Sequence, residues 1–324
     1  MFSERSTRTI LLIAVKVILS LSLFCKSAFA TVEGDLELLK LVAHGYKANL
    51  AKLATWQGKA VISLDLFSTD DKIPSIRRKS SAEFLFDAEQ DATRWYWNQL
   101  EGLRTRKGTQ PVTEKPYFTS GIAKNKTLHM LFPVPPTPER PPRNVLIKPV
   151  GGKRIGGWNN EFNPMFYFQS IDRDWYKRLM FYYEKANSPH IGTLKIWKKG
   201  NIVFFETVNK RDPIFVHHEF DLSKGCCITK YVRNYDPNFS KIQVIWNIDY
   251  EQVNGVFVPK EIKNIHIKSD GSSKTTRVVQ FVQNITNKPI DAEEFSLAKL
   301  RLIPGDIVRD QATGIMFIYK GEDG

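Results

Sequence analysis

The stretch "HHEFDLSKGCCITKY", His217 to Tyr231, holds two adjacent histidines and two adjacent cysteines in a chain with six His and three Cys. Imidazole and thiolate are the usual ligands of zinc, which takes four of them in tetrahedral array. The residues around them decide whether that chemistry is possible. "PIFVHHEFDL" and "CCITKYVRNY" have strand composition, and "LSKG" between them has turn composition, so the stretch reads as a β-hairpin turning at Leu222 to Gly225. That turn sets Asp221 opposite Cys226, Phe220 opposite Cys227 and His218 opposite Thr229. Successive strand residues face opposite ways, so His217 and His218 cannot share a metal, nor can Cys226 and Cys227. One His and one Cys per face fall short of zinc's four ligands, and no metal is expected. Adjacent Cα atoms lie about 3.8 Å apart, below the roughly 4.4–6.8 Å of disulfides, so the pair is expected as free thiols able to react with another molecule.

No catalytic constellation replaces the metal. His218-Glu219 has no His at 222 to complete H-E-x-x-H, and no G-x-S-x-G elbow is present. "GGKRIGGWNN" (Gly151 to Asn160) lacks the G-K-[ST] end of a phosphate loop. His44, His129, His190 and His266 stand singly. The reading is a non-enzymatic chain with no catalytic residue and no cofactor. Scattered Lys and Arg do not demand nucleic acid.

What recurs at strand spacing is aromatic. Phe84, Phe86, Trp95, Trp97, Phe204, Trp246 and Tyr250 are candidates to line an apolar concavity, with an ordinary core as the other use for most of them.

The elements that must position them are mainly strands. Leu36, Leu39, Ala43, Tyr46, Leu50 and Leu53 form one stripe of an amphipathic helix with Asp35 as N-cap; Gly45 weakens its middle by about 1 kcal/mol relative to Ala. From Gly58 the period becomes two: Ala60, Ile62, Leu64 and Leu66, then Ala82, Phe84 and Phe86, then Trp95 and Trp97 with Arg94, Tyr96 and Asn98 on the reverse. Strand signals resume at His190 and continue nearly to the end, joined by turns of hairpin length, which predicts an antiparallel meander. The middle departs from this: Pro133 to Pro142 cannot enter a sheet interior, and Asp172 to Ala186 reads as a helix with Trp175, Leu179 and Tyr182 on one face. The fold class expected is therefore mainly β: a large curled antiparallel sheet, a half-open β-barrel, covered by the N-terminal helix and a middle helical and loop insertion.

Residues 1–30 read as a signal peptide, with Arg5 and Arg8 before an apolar core from Ile10 to Phe24 and "SAFA" before a cut after Ala30. Kept uncleaved, the segment would be an anchor. It carries four Lys/Arg and one acid, so the remainder keeps +10 of the chain's +13. Export and a basic balance suit anionic neighbours, a membrane surface or an envelope polymer, and equally a solvated basic surface that keeps the chain in solution. The domain plan is residues 1–30 as leader, 31–290 as a β domain with an insertion near 101–188, and 291–324 as a tail packed on or extending it.

The order of leader, helix "LELLKLVAHGYKANLAKLATWQGKAVISL" and long meander resembles bacterial periplasmic proteins of the LolA/LolB-like class, which sort outer-membrane lipoproteins. "TRWYWN" (Thr93 to Asn98) is similar to that class's Arg-Trp strand. "FDLSKGCCITKY" and "NGVFVPKEIKN" are similar to its later hairpins, and "EEFSLAKLRLIPGDIVRDQATGIMFIY" resembles a tail found on related secreted proteins. The resemblance implies a half-open barrel whose apolar cavity holds a lipid, a lipoprotein acyl chain or another hydrophobic ligand, and it implies Arg94 as a cavity-side residue. The stretch from about Leu100 to Ser188 departs from it. An envelope sensor or protein-binding module is the alternative, with a glycan-acting enzyme behind it.

Overall fold

In the computed structural model the described residues are 31–68, 75–105, 110–114, 117–124, 127–132, 144–149, 175–188, 191–209, 214–234, 242–268, 270–310 and 313–321. The expected leader, the proline run and the Gly151 to Asn160 loop lie outside them.

Strand β1 (Thr31–Gly34) leads into helix α1 (Glu37–Ala51). Three long strands follow, β2 (Thr55–Ser68), β3 (Ile76–Asp87) and β4 (Ala92–Arg104), then β5 (Val112–Thr113), β6 (Tyr117–Lys124), β7 (Thr127–Phe132) and β8 (Asn144–Pro149). Helix α2 covers residues 175–184. The second run is β9 (Ile191–Lys199), β10 (Ile202–Asn209), β11 (Phe215–Asp221), β12 (Cys227–Asn234), β13 (Ile242–Val253), β14 (Val256–Ile267) and β15 (Ser273–Thr286). Two short 3-10 turns, Ala292–Phe295 and Leu297–Leu300, precede β16 (Ile307–Asp310) and β17 (Met316–Ile318).

The strands form one curled sheet. From β1 the ladder passes to β9 and on in sequence order to β15, then to β2, β3, β4, β6, β7, β8, β16 and β17, with β5 on the far end of β4. Among the described residues it does not return from β17 to β1, so the sheet is not closed into a barrel. The mainly β, half-open architecture is as expected. The expectation of purely antiparallel pairing is corrected at two places, where β1 joins β9 and β8 joins β16 in parallel. Each joins strands far apart in sequence, and a parallel pair requires such a crossover.

The middle of the chain supplies strands as well as a helix: β6, β7 and β8 continue the sheet beyond β4. "YFTSGIAK" carries little β signal because it is rich in small residues. Their smallness has a cause. A Cβ on Gly121 would lie 2.1 Å from the Trp95 indole, so the neighbouring strand's tryptophan occupies that space.

One face of the sheet, the inner face, carries the core. Trp56, Ala60 and Ile62 of β2 lie level with Ala82, Phe84 and Phe86 of β3, Trp95 and Trp97 of β4, and Val279 and Phe281 of β15, all buried. On the other limb Leu194, Ile196, Val203, Phe205, Phe220 and Ile228 do the same. Both helices join this one cluster, α1 through Leu39, Val42, Ala43 and Tyr46, and α2 through Trp175 and Leu179. Asn49 ties the end of α1 down. Its Nδ2 donates to the Phe257 carbonyl and its Oδ1 accepts from the Phe257 N–H, both at 3.0 Å. The N-cap is Leu36 rather than the expected Asp35, which lies one residue earlier and still accepts from the Glu37 N–H at 2.9 Å. The outer face has a smaller core of its own, where Phe295, Leu300 and Val308 pack on Ala92 and Ile122.

Candidate functional site

The alternation Val216, His218, Phe220 along β11 turns His218 to the inner face, where it is fully buried. An aromatic box surrounds it. Phe205 stacks on it at 5.1 Å, Trp175 of α2 meets it edge-on at 4.8 Å, and Tyr231 lies 5.4 Å away. Nδ1 of His218 lies 3.1 Å from the Phe205 carbonyl oxygen. A carbonyl only accepts, so Nδ1 bears the proton and Nε2 is a bare acceptor. That Nε2 has no hydrogen-bond partner among the described residues, and neither has the Trp175 Nε1–H donor. Burial, and then the nearby Arg178 guanidinium, push the His218 pKa well below the ordinary histidine value, so the ring is neutral.

His217 takes the outer face. Its ring nitrogens contact Glu206 at 2.9 Å and Glu219 at 3.0 Å, and Lys230 reaches Glu219 at 3.0 Å. The Glu219 carboxyl is disfavoured as an anion by burial, but hydrogen bonds from His217 and Lys230 outweigh this and hold it below the usual range. The two histidines thus face opposite ways as expected. Among the described residues no group of three His, Cys, Asp or Glu is placed to hold a metal.

The hairpin register is corrected by one residue next to the turn and by two beyond the bulge. Asp221 faces Cys227, Phe220 faces Ile228 and His218 faces Tyr231, with a bulge at Thr229. The turn is longer than "LSKG" because Gly225 and Cys226 both adopt left-handed backbone, at φ 65° and 58°. Cys226 is therefore a turn residue, and strand alternation does not apply to it. Both thiols are buried toward α1: Cys226 abuts Gly45, and Asn49 Nδ2 approaches the Cys227 sulfur at 3.6 Å. Burial, helped by Asp221, raises the Cys226 thiol pKa, which keeps it in its unreactive form.

Of the residues proposed to line a concavity, Phe84, Phe86, Trp95, Trp97, Trp246 and Tyr250 share the inner face. The first four form one patch across β3 and β4. On β13, Trp246 lies opposite Tyr231, and the Tyr250 hydroxyl donates to the Ile228 carbonyl at 3.0 Å. Phe204 and Arg94 lie on the outer face, because each precedes an inward aromatic by one residue. Phe204 stacks flat on Trp197 at 5.1 Å. Arg94 pairs with Glu294 of the tail and lies 4.9 Å from the Tyr96 ring. Sequence reasoning missed Trp175 and Phe205 as walls of the box, and Trp56 as a partner of Phe84 and Phe281 on the other limb. The alternation in "PIFVHHEFDL" was the available signal for His218 itself.

The inner aromatics pack closely: Trp56 meets Phe84 at 4.5 Å and Phe281 at 5.4 Å. Two described cavities lie mainly among outer-face residues. One, of about 220 Å³, is bordered by Lys59, Glu83, Arg94 and Tyr96. The other, of about 660 Å³, is bordered by Asp65, Arg77, Arg78, Lys79, Glu101 and Glu114. Charged side chains border both, and Val61, Leu100 and Leu103 add apolar wall to the larger one.

No family model matches the chain, and no curated protein matches it. Among solved structures it is similar to a domain named for outer-membrane lipoprotein sorting from Vibrio parahaemolyticus, at 10% identity and TM-score 0.40, over 82% of this chain and 100% of that one. It is similar also to a DUF1329 family protein from Desulfovibrio piger, at 8% identity and TM-score 0.39, over 80% of this chain and 98% of that one. A third is a β-barrel-like protein of a domain of unknown function, DUF1849, from Brucella abortus, at 10% identity and TM-score 0.27, over 73% of this chain and 99% of that one. Among the described residues no helix is long and apolar enough to cross a membrane.

Proposed function

We propose that the protein is a non-enzymatic binder of an amphiphile, holding its acyl chain or similar apolar part between the inner face of the sheet and helix α2. The observation that carries this is a pair of buried atoms at the helix-sheet contact without hydrogen-bond partners among the described residues, the acceptor His218 Nε2 and the donor Trp175 Nε1. A buried polar group without a partner costs about 1–3 kcal/mol, so a ligand hydroxyl that accepts from Trp175 and donates to His218 has a stabilising place to go. The aromatic walls around that place, with Phe84, Phe86, Trp95, Trp97, Trp246 and Tyr250 further along the same face, suit hydrocarbon.

Access comes by displacement of α2. Its described residues, 175–184, reach the sheet through Trp175 and Leu179 of the shared core. Its hold on the sheet is therefore its apolar contacts, which a ligand's chain can replace. We place this activity in the cell envelope, after export and loss of residues 1–30, with lipid or lipoprotein as the natural cargo.

Native mass spectrometry of the purified protein is expected to find an acyl-chain ligand retained, and a fluorescent fatty alcohol is expected to bind competitively with it. Trp175→Phe removes one donor and is expected to weaken the alcohol about tenfold while leaving an all-hydrocarbon probe unchanged. No retained ligand together with no probe uptake sinks the reading.

A further inference from the structure

The contact of α2 with the sheet restricts which head group an amphiphile can bring there. His218 is fully buried and Trp175 is 5% exposed, and their rings meet edge-on with centroids 4.8 Å apart. His218 Nδ1 is taken by the Phe205 carbonyl. Among the described residues the contact therefore offers one acceptor, His218 Nε2, and one donor, Trp175 Nε1–H. An ester gives Trp175 an acceptor but has no hydrogen for His218. A secondary amide is trans, so its C=O and N–H point in opposite directions and cannot serve both rings. An alcohol must accept and donate through a single oxygen. A carboxylate only accepts, and it would carry a charge into an aromatic box. A neutral carboxylic acid holds an acceptor and a donor side by side on two oxygens, one for each ring.

Within the amphiphile reading, on which this rests, we propose that the seat takes a free fatty acid in its neutral form, so that binding draws a proton from solvent. The carboxyl O–H donates to His218 Nε2 and the carboxyl C=O accepts from Trp175. The groups around His218 leave that proton to the ligand. Tyr231 comes from β12, and Tyr182 of α2 meets Phe205. Arg178 of α2 lies 5.2 Å over the Trp175 ring, and His217 lies on the reverse face. Both oppose a positive charge on His218, and among the described residues no carboxylate offsets them. A free carboxyl group titrates near about 4.3, so at neutral pH the complex holds one more proton than its separate parts.

Calorimetric titration of the purified protein with dodecanoic acid, in buffers of different ionisation enthalpy, counts that proton. Uptake of about one proton per acid is expected, with affinity falling about tenfold per unit between about pH 6 and 8. Dodecanol is expected to bind with no uptake and no pH dependence. His218→Phe is expected to lose the uptake while still binding a hydrocarbon probe, which reports an intact seat. Acid bound without proton uptake overturns the proposal in favour of an anion paired with Arg178. Dodecanol bound with the acid rejected throughout overturns it and leaves the amphiphile reading standing. Uptake that persists in His218→Phe overturns His218 as the acceptor. If acid, alcohol and hydrocarbon probe all fail to bind, the amphiphile reading falls and this proposal falls with it.

Discussion

The sulfur of Cys226 occupies the space that a side chain on Gly45 would need, 2.3 Å from where its Cβ would sit. The turn between β11 and β12 is thereby packed against the middle of α1. In an exposed helix Gly→Ala gains about 1 kcal/mol. Here Gly45→Ala is expected to lose about 1–3 kcal/mol in urea unfolding, because the turn is backed by the buried end of α1 and cannot give freely. Cys226→Gly removes the sulfur and suits a backbone φ of 58°, so the double variant is expected to be more stable than the two single changes predict together. A stabilised Gly45→Ala protein, or strict additivity in the cycle, contradicts this contact.

His218 makes stability depend on pH. Its folded pKa lies well below the ordinary value of 6.5, so below 6.5 the unfolded chain binds a proton that the folded one refuses. Stability from this group is fully present above 6.5 and declines as pH falls toward the folded pKa, by at most about 1.4 kcal/mol per pH unit. His218→Phe is expected to remove that part of the decline. Parallel pH-stability curves for the two proteins, from pH 7 down, disprove the assignment.

Much of this arrangement was legible in the residues. Alternation in "PIFVHHEFDL" and "TRWYWN" placed His217 and His218, and Arg94 and Trp95, on opposite faces, because a half-buried sheet imposes a period of two. It does not say which face turns inward, and Arg94 lies on the outer face, where it pairs with Glu294 of the tail and borders the smaller cavity. The hairpin register was out of reach because Cys226 takes the left-handed backbone, which non-glycine residues seldom adopt and no composition rule flags. The strand β6 was hidden because its small residues answer to the bulk of Trp95 on the neighbouring strand, a demand invisible in local propensity. Asn49 looked like one more polar residue on a helix, and its role depends on β14, 208 residues further along.

Arg94 is expected to anchor the tail and to have no part in apolar binding. Its Nη1 donates to both the backbone carbonyl and the carboxylate of Glu294, and Tyr96, over which it lies, donates to the Lys299 carbonyl. Burial disfavours the Glu294 anion, yet Lys299 and Arg94 hold its pKa below the usual range. Arg94→Ala should speed hydrogen exchange in 291–301 and lower stability by about 1–2 kcal/mol, discounted because Glu294 is a third exposed. Arg94→Lys should not restore the tail, since an ammonium lacks the planar group that lies over Tyr96. Probe uptake by Arg94→Ala should match the parent protein, and a loss of uptake there would reinstate Arg94 as a cavity residue.

Asn49 offers the strictest check on the helix-sheet seam, because its amide both donates to and accepts from the backbone of Phe257. Asn49→Ala takes the partners from a part-buried N–H and a part-buried carbonyl and is expected to cost about 1–3 kcal/mol, with faster exchange at the end of α1. Asn49→Asp keeps the shape and the acceptor but sets an anion against the Phe257 carbonyl, at a position only 3% exposed. Burial and that carbonyl both favour the protonated acid, so the new carboxyl should have a raised pKa in the folded protein. Its protonated form can donate where the amide did. The Asp variant is therefore expected to unfold more easily than the Ala variant at pH 7 and to close the gap as pH falls toward 4. If Asp is tolerated at pH 7 as well as Asn, the Phe257 carbonyl is not receiving a hydrogen bond from this side chain.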